Sequence, residues 1–302
     1  MVCRKADAGR CQKCSLTDSL TVLRCGDFLY TAVFGSIPFS GRLEGTYSKT
    51  PKVMHLYNTL ILHVPHASAD FSFAGLNATD PRGRNFLRQA TPLIDWYTDE
   101  LFVPATPSDQ IVPVVFDTCR TLVDVERLSH DPLEAEKLGI TSSRLLLTSR
   151  GYLDPRGTAE SDSRYLQKYL DHQYRLASLT IRHHCSLLID CHSFSSGPTV
   201  LQPDMMKTRG VDICLGFNED FTRPDDHTLY LVEEHFLERG YRVSFNTPFS
   251  GSKTIDTPAH CKSLMIAVNK RLYMHEKTLE KRESFAKLVG DIQSLYAELL
   301  GM

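Results

Sequence analysis

The 302-residue chain has a single tryptophan, Trp96, no apolar run long enough to span a bilayer, and no recognisable secretory signal. We therefore expect no membrane partner. Neither sign of charge dominates: 34 Lys and Arg stand against 36 Asp and Glu, a net charge of −2. Without a basic excess nothing recruits nucleic acid or an acidic membrane surface. Internal repeats and low-complexity runs are also absent. The nine cysteines are an odd number and lack the spacing of a small disulfide scaffold, so they read as reduced thiols in a cytoplasmic protein. What remains is an ordinary globular composition, 42% hydrophobic and 23% charged.

Residues 1–53 differ from the rest, with eight Lys/Arg against four Asp/Glu, four of the cysteines and no clear amphipathic period. Cys11-Gln-Lys-Cys14 could form half of a zinc site with Cys3 and Cys25, but no second CxxC pairs with it. The blander reading is stronger: residues 1–53 are an extension outside the fold, with Met54 a natural start opening into a strand. The functional domain is then 54–302.

From Met54 onward strands and helices alternate. Asn85 to Phe102, Arg164 to His184, His227 to Arg239 and Glu280 to Leu300 have helical spacing, and Gly240 supplies a C-terminal stop. Short strands are expected near Thr59–His63, Ile111–Phe116, Thr121–Asp124, Cys185–Ile189, Val211–Leu215, Val243–Phe245 and Ser263–Val268. Strands separated by helices imply an α/β fold with a mainly parallel sheet covered on both faces.

Two of these strands end in histidine. Leu188-Ile-Asp-Cys-His-Ser-Phe194 runs from an apolar stretch into Asp190, His192 and Ser193, and Thr59-Leu-Ile-Leu-His-Val-Pro-His66 ends similarly. Open α/β sheets bind ligands at the carboxyl ends of their strands, so a metal site on the sheet edge is one reading. The other is structural, since a histidine after proline at a strand end often serves only as a hydrogen-bonding residue. His63 and His66 share a turn, but strand alternation sends their rings in different directions. Asp95, expected on a helix beside Trp96 and Tyr97, is either a surface carboxylate or the oxygen ligand completing a His/carboxylate/His zinc site. Arg120 and Arg127 flank an acidic stretch; they are solvated salt-bridge partners or a fork for a substrate carboxylate, which arginine suits by binding bidentately. Phe245-Asn-Thr-Pro-Phe-Ser-Gly251 is a loop that offers Asn246 and Ser250 to a ligand.

In order along the chain, these segments resemble the N-formylglutamate amidohydrolase family from about Leu60 to about Met274. The landmarks are His63-Val-Pro-His-Ala-Ser68, Asp95-Trp-Tyr-Thr-Asp-Glu-Leu-Phe102, Arg120-Thr-Leu-Val-Asp-Val-Glu-Arg127, Asp190-Cys-His-Ser-Phe194, Val211-Asp-Ile-Cys-Leu-Gly216, Phe245-Asn-Thr-Pro-Phe-Ser-Gly251 and Leu264-Met-Ile-Ala-Val-Asn-Lys-Arg-Leu-Tyr-Met274. The resemblance implies a fold like the zinc carboxypeptidases, a mixed eight-stranded sheet between helices, with one zinc. It implies hydrolysis of N-formyl-L-glutamate, or a similar small N-acyl amino acid, to formate and the amino acid. By the same resemblance His66, Asp95 and His192 are the metal ligands, and Arg127 grips the substrate carboxylate with Arg120, Asn246 and Ser250 in support. Metal-assisted hydrolysis acidifies a water and needs a general base, which typically contributes about 10²–10⁴-fold.

One departure stands out. The family pattern near the last strand reads Met-Ile-Glu-Val-Asn, and that glutamate resembles a general base; this chain has Met265-Ile-Ala-Val-Asn269. Ala267 cannot accept a proton, so no catalytic residue is assigned. Either another carboxylate substitutes, or the chain is a degenerate member that binds an acidic amino-acid derivative without turnover, or the residue was changed deliberately. Ala67 also stands where the family usually has serine. A zinc peptidase or amidase acting on a small peptide is a third functional reading.

Overall fold

A computed structural model describes residues 21–25, 28–32, 56–106, 108–126, 159–184, 186–197, 210–253, 255 and 261–302. The chain falls into two units, Met1–Thr50 and Pro51–Met302. In the first, β1 (Thr21–Cys25) and β2 (Phe28–Ala32) pair antiparallel, with Cys25 opposite Phe28. Of the four cysteines weighed as zinc ligands, Cys25 falls on β1, and Cys3, Cys11 and Cys14 lie outside the described residues.

The second unit is a mixed α/β fold around a mostly parallel sheet. Its strands are β3 (Thr59–Val64), β4 (Ile111–Val115), β5 (Ser186–Phe194), β6 (Ile213–Gly216), β7 (Val243–Phe245) and β8 (Lys262–Asn269). Their spatial order is β4-β3-β5-β8-β6-β7. The first four run parallel; β6 reverses direction beside β8, and β7 follows β6. Six strands of this sheet are thus seen among the described residues, against the eight expected. Pro113 sits within β4, which lies at the edge, where a missing N–H costs no ladder bond on the open side.

Five α-helices are described: α1 (Pro81–Ala90), α2 (Thr98–Phe102), α3 (Ala159–Arg182), α4 (Asp226–Glu238) and α5 (Phe285–Leu300). Asp80 caps α1 by accepting from Gly83 N at 2.7 Å, with Pro81 preset for the first turn. Asp225 caps α4 in the same way through Thr228 N, and Gly240 follows its end at φ +83°.

Two sequence expectations are corrected. Asn85–Phe102 is not one helix: Pro92 enters a 3₁₀ turn at Thr91–Leu93, Ile94 becomes extended and Tyr97 takes φ +65° before α2. Asp95 is therefore in a connecting segment. Thr121–Asp124 is a turn and not a strand, because Leu122 and Val123 both donate to Cys119 O.

Alternation along the strands divides the sheet into two faces. Leu60, Leu62, Leu187, Ile189, Ile266 and Val268 point one way and join α2, α4 and α5 through Phe102, Phe236, Leu295 and Tyr296, all fully or nearly fully buried. Ile61 and Leu188 point the other way and meet Leu176 of α3. The same parity carries His63, Asp190, His192 and Ala267 onto the α3 side. No helix among the described residues is long and apolar enough to cross a membrane.

Candidate metal centre

Three sequence candidates meet at the carboxyl ends of β3 and β5. His66 follows Pro65 just past β3, and His192 lies near the end of β5. Asp95 is delivered from the broken helix by a backbone bond, its N–H donating to His66 O at 2.9 Å. Thr98 then braces Asp95 O through both its N–H and its hydroxyl. The Asp95 Oδ2 atom lies 3.0 Å from His192 Nδ1 and 3.7 Å from His66 Nδ1. One donor atom from each of the three residues falls within 4.8 Å of the other two, and the imidazole centroids are 5.1 Å apart.

Carboxylates behind the rings assign the proton positions. Asp124 Oδ1 is 2.8 Å from His66 Nε2, so that nitrogen donates. In that tautomer His66 Nδ1 is a buried lone pair facing an anionic oxygen, with no hydrogen-bond partner among the described residues. Leaving such a group unpaired costs about 1–3 kcal/mol, and a cation between Nδ1 and Oδ2 removes the conflict. Asp190 Oδ1 lies 3.2 Å from His192 Nε2, and Asp124 is itself held by the Arg120 guanidinium at 3.1 Å. Metal-ligating histidines are usually held in this way, by a carboxylate on the ring nitrogen away from the ion. The residues present fit a divalent cation.

Asp190 also binds a second group. It accepts from His63 Nδ1 at 2.9 Å and from Lys253 N at 2.9 Å, while Glu126 Oε1 is 3.2 Å from the same His63 nitrogen. His63 Nε2 meets His172 Nε2 of α3 at 2.9 Å. His63 and His66 thus enter different clusters, joined through Asp190 and His192.

Burial alone would raise the Asp95 carboxyl, but His192, His66 and the Lys270 ammonium outweigh it and hold the group far below the usual carboxylate range. Asp190 behaves likewise, held low against burial by His192 and His63. Burial opposes charge on His192, yet Asp190 and Asp95 raise its pKa well above normal. A proton therefore sits on His192 between two anions, where a metal ion would displace it. His172 is the opposite case, pushed down to about 2 by burial and by the neighbouring His63 and Lys253.

Ala267 pairs with His192 across β5 and β8 and with Cys214 on β6. It is buried beside Phe194 and Met265. The Arg120 guanidinium is committed to Asp124 and the Leu93 carbonyl. Asn246 holds its loop by accepting from Phe217 N and Gly251 N, and Ser250 is exposed on that loop. Arg127 lies outside the described residues.

The sequence reading missed the roles of Asp124 and Asp190 behind the imidazoles, and the group formed by His63, Glu126 and His172. Asp124 and Glu126 stood in a flagged stretch but were weighed only as partners for arginine. His172 carried no signal, since it reaches the cluster only because α3 packs on that face.

Residues 58–274 match the N-formylglutamate amidohydrolase family. Among solved structures, the chain is similar to an N-formylglutamate amidohydrolase from Ralstonia eutropha JMP134, with TM-score 0.54 and 20% identity over 80% of this chain and 92% of that one. A gene product from Agrobacterium tumefaciens aligns with TM-score 0.49 and 17% identity over 81% and 90%. No curated protein sequence matches significantly. The family match spans 217 of the 302 residues, well over half, and the chain belongs to the N-formylglutamate amidohydrolase family.

Proposed function

We propose that the chain is a zinc-dependent amidohydrolase that splits N-formyl-L-glutamate, or a similar small N-acyl amino acid, into formate and the free amino acid. The observation that carries this is the His66 Nδ1 atom, without a hydrogen-bond partner among the described residues, facing Asp95 Oδ2 beside His192. These three residues would hold the ion, in the manner of the zinc carboxypeptidase fold. Zinc held there would acidify a water and polarise the formyl carbonyl.

The remaining steps belong to the chain's own residues. Asp124 and Asp190 keep the two rings in the tautomers and orientations that ligation needs. Arg127 and Arg120 are proposed to bind the substrate carboxylates, with Asn246 and Ser250 in support. The sheet, buried on both faces, fixes the spacing between His66 and His192. What supports a cytoplasmic setting is that Cys119, Cys191, Cys214 and Cys261 are free buried thiols.

A second reading is favoured by Ala267, which stands opposite His192 without a carboxylate. On that reading the chain binds an acidic amino-acid derivative and does not turn it over. Formate release from N-formyl-L-glutamate by zinc-loaded protein decides between them. Steady release, lost in His192→Ala together with zinc, supports the hydrolase; binding without release supports the silent reading. Protein that holds no zinc and is unaffected by His192→Ala refutes the hydrolase reading.

A further inference from the structure

We infer that Glu126 is the general base of the reaction, replacing the carboxylate that position 267 lacks. The inference rests on the zinc-hydrolase reading and chooses its active branch. Four other carboxylates have functions around the centre. Asp95 faces the two imidazoles, Asp124 is bound to His66 and Arg120, and Asp190 is bound to His63 and Lys253 N. Glu276 is bound by Ser195 and Ser196.

Glu126 differs from all of them. Its Oε1 is a buried atom that accepts no hydrogen bond among the described residues. His63 Nδ1 is 3.2 Å away, but its proton is directed at Asp190 Oδ1, 2.9 Å from the same nitrogen. The side chain of Glu126 is 21% exposed, whereas those of Asp95, Asp124 and Asp190 are 4%, 1% and 2% exposed. Of this set it alone joins an unbonded buried oxygen to a side chain that is partly open to solvent. Its backbone ties it to the centre, since Glu126 N donates at 3.2 Å to Asp124 Oδ1, the oxygen that holds His66. A base needs a free lone pair near the reacting water, and Glu126 has that lone pair on a side chain whose charge acts on His192.

The step balances without a further reactant. Glu126 takes one proton from water as the water oxygen bonds to the formyl carbon. The C–N bond then breaks, its electron pair goes to the nitrogen, and Glu126 delivers the proton there. The products are the free amino acid and formic acid, which ionises to formate.

The test uses zinc-loaded full-length chains: wild type, Glu126→Gln, Ala267→Glu and the double variant. Each is measured for zinc content, for N-formyl-L-glutamate binding by calorimetry and for formate release. Glu126→Gln is isosteric, so we expect one zinc per chain and binding within about threefold of wild type, with kcat lower by about 10²–10⁴-fold. Ala267→Glu is expected to restore at least tenfold of that loss in the double variant, which a merely structural role for Glu126 would not permit. Activity of Glu126→Gln within tenfold of wild type overturns the inference. So does a loss that accompanies loss of zinc or of binding and is not restored by Ala267→Glu. An inert wild type beside an active Ala267→Glu also overturns it, and makes the chain the silent member of the family on an intact zinc site. Wild type and Ala267→Glu both inert with zinc bound removes the zinc-hydrolase reading itself.

Discussion

His66 and Asp95 are joined twice. The Asp95 N–H donates to the His66 carbonyl at 2.9 Å, while the side chains face each other across 3.7 Å, and His66 Nδ1 has no hydrogen-bond partner among the described residues. The backbone bond fixes the distance between a ring nitrogen and a carboxylate oxygen that one cation can bridge.

Removing Asp124 tests this arrangement from behind. Asp124→Asn keeps the shape but ceases to favour the Nε2–H tautomer of His66, so zinc affinity is expected to fall about 10–100-fold. His66→Ala removes a proposed ligand and is expected to abolish stoichiometric zinc. Equilibrium titration against a chromogenic chelator measures both; an unchanged affinity in Asp124→Asn refutes the assigned tautomer.

His172 gives the metal-free protein an acid-sensitive component. Its folded pKa is depressed to about 2, below the unfolded value of about 6.5, so the unfolded chain binds the extra proton as pH falls. The stabilising contribution is complete above about pH 6.5 and is lost below it. Between pH 7.5 and 5.5 this amounts to about 1.4 kcal/mol. Urea unfolding of wild type and His172→Gln at the two pH values should show a larger acid loss in wild type by about that amount. Equal losses refute the assignment.

Gly216 closes β6 where the Asn246–Lys253 loop crosses the sheet. A Cβ added there would lie 2.4 Å from Gly251 O and 2.3 Å from Met265 Cε. The methionine can move, but the carbonyl belongs to the backbone that leads to Lys253 N, a donor to Asp190. Gly216→Ala is expected to cost about 1–3 kcal/mol of stability. Zinc affinity should weaken with it, because Asp190 backs His192. A variant as stable as wild type refutes the close packing.

Much of the architecture was legible because its signals are local. Apolar runs ending in His66 and His192 announced two buried strands with polar carboxyl ends, and Gly240 announced the end of α4. Where a local signal competed with a longer one, the reading went astray. The helical spacing of Phe86, Leu87, Ala90, Leu93 and Ile94 masked the break at Pro92, and Thr121-Leu-Val-Asp124 has a strand's composition but turns on Cys119 O. The site was legible through resemblance more than through spacing, since 29 residues separate His66 from Asp95 and 97 separate Asp95 from His192.

What the sequence by itself determined is the parity of each strand and which residues are the candidate ligands. His63, Asp190, His192 and Ala267 must share a face because side chains alternate with period two, whatever packs against them. The loss of a carboxylate at position 267 is equally a property of the sequence. Tertiary structure alone decided which groups meet. The parallel register of β3, β5 and β8 sets His192 level with Ala267 and His63 level with Asp190. The broken helix brings Asp95 to His66, and the turn at Cys119 brings Asp124 and Glu126 behind the rings. These contacts join positions 29 to 127 residues apart, and only the packed sheet supplies the free energy that overcomes the cost of closing such long loops.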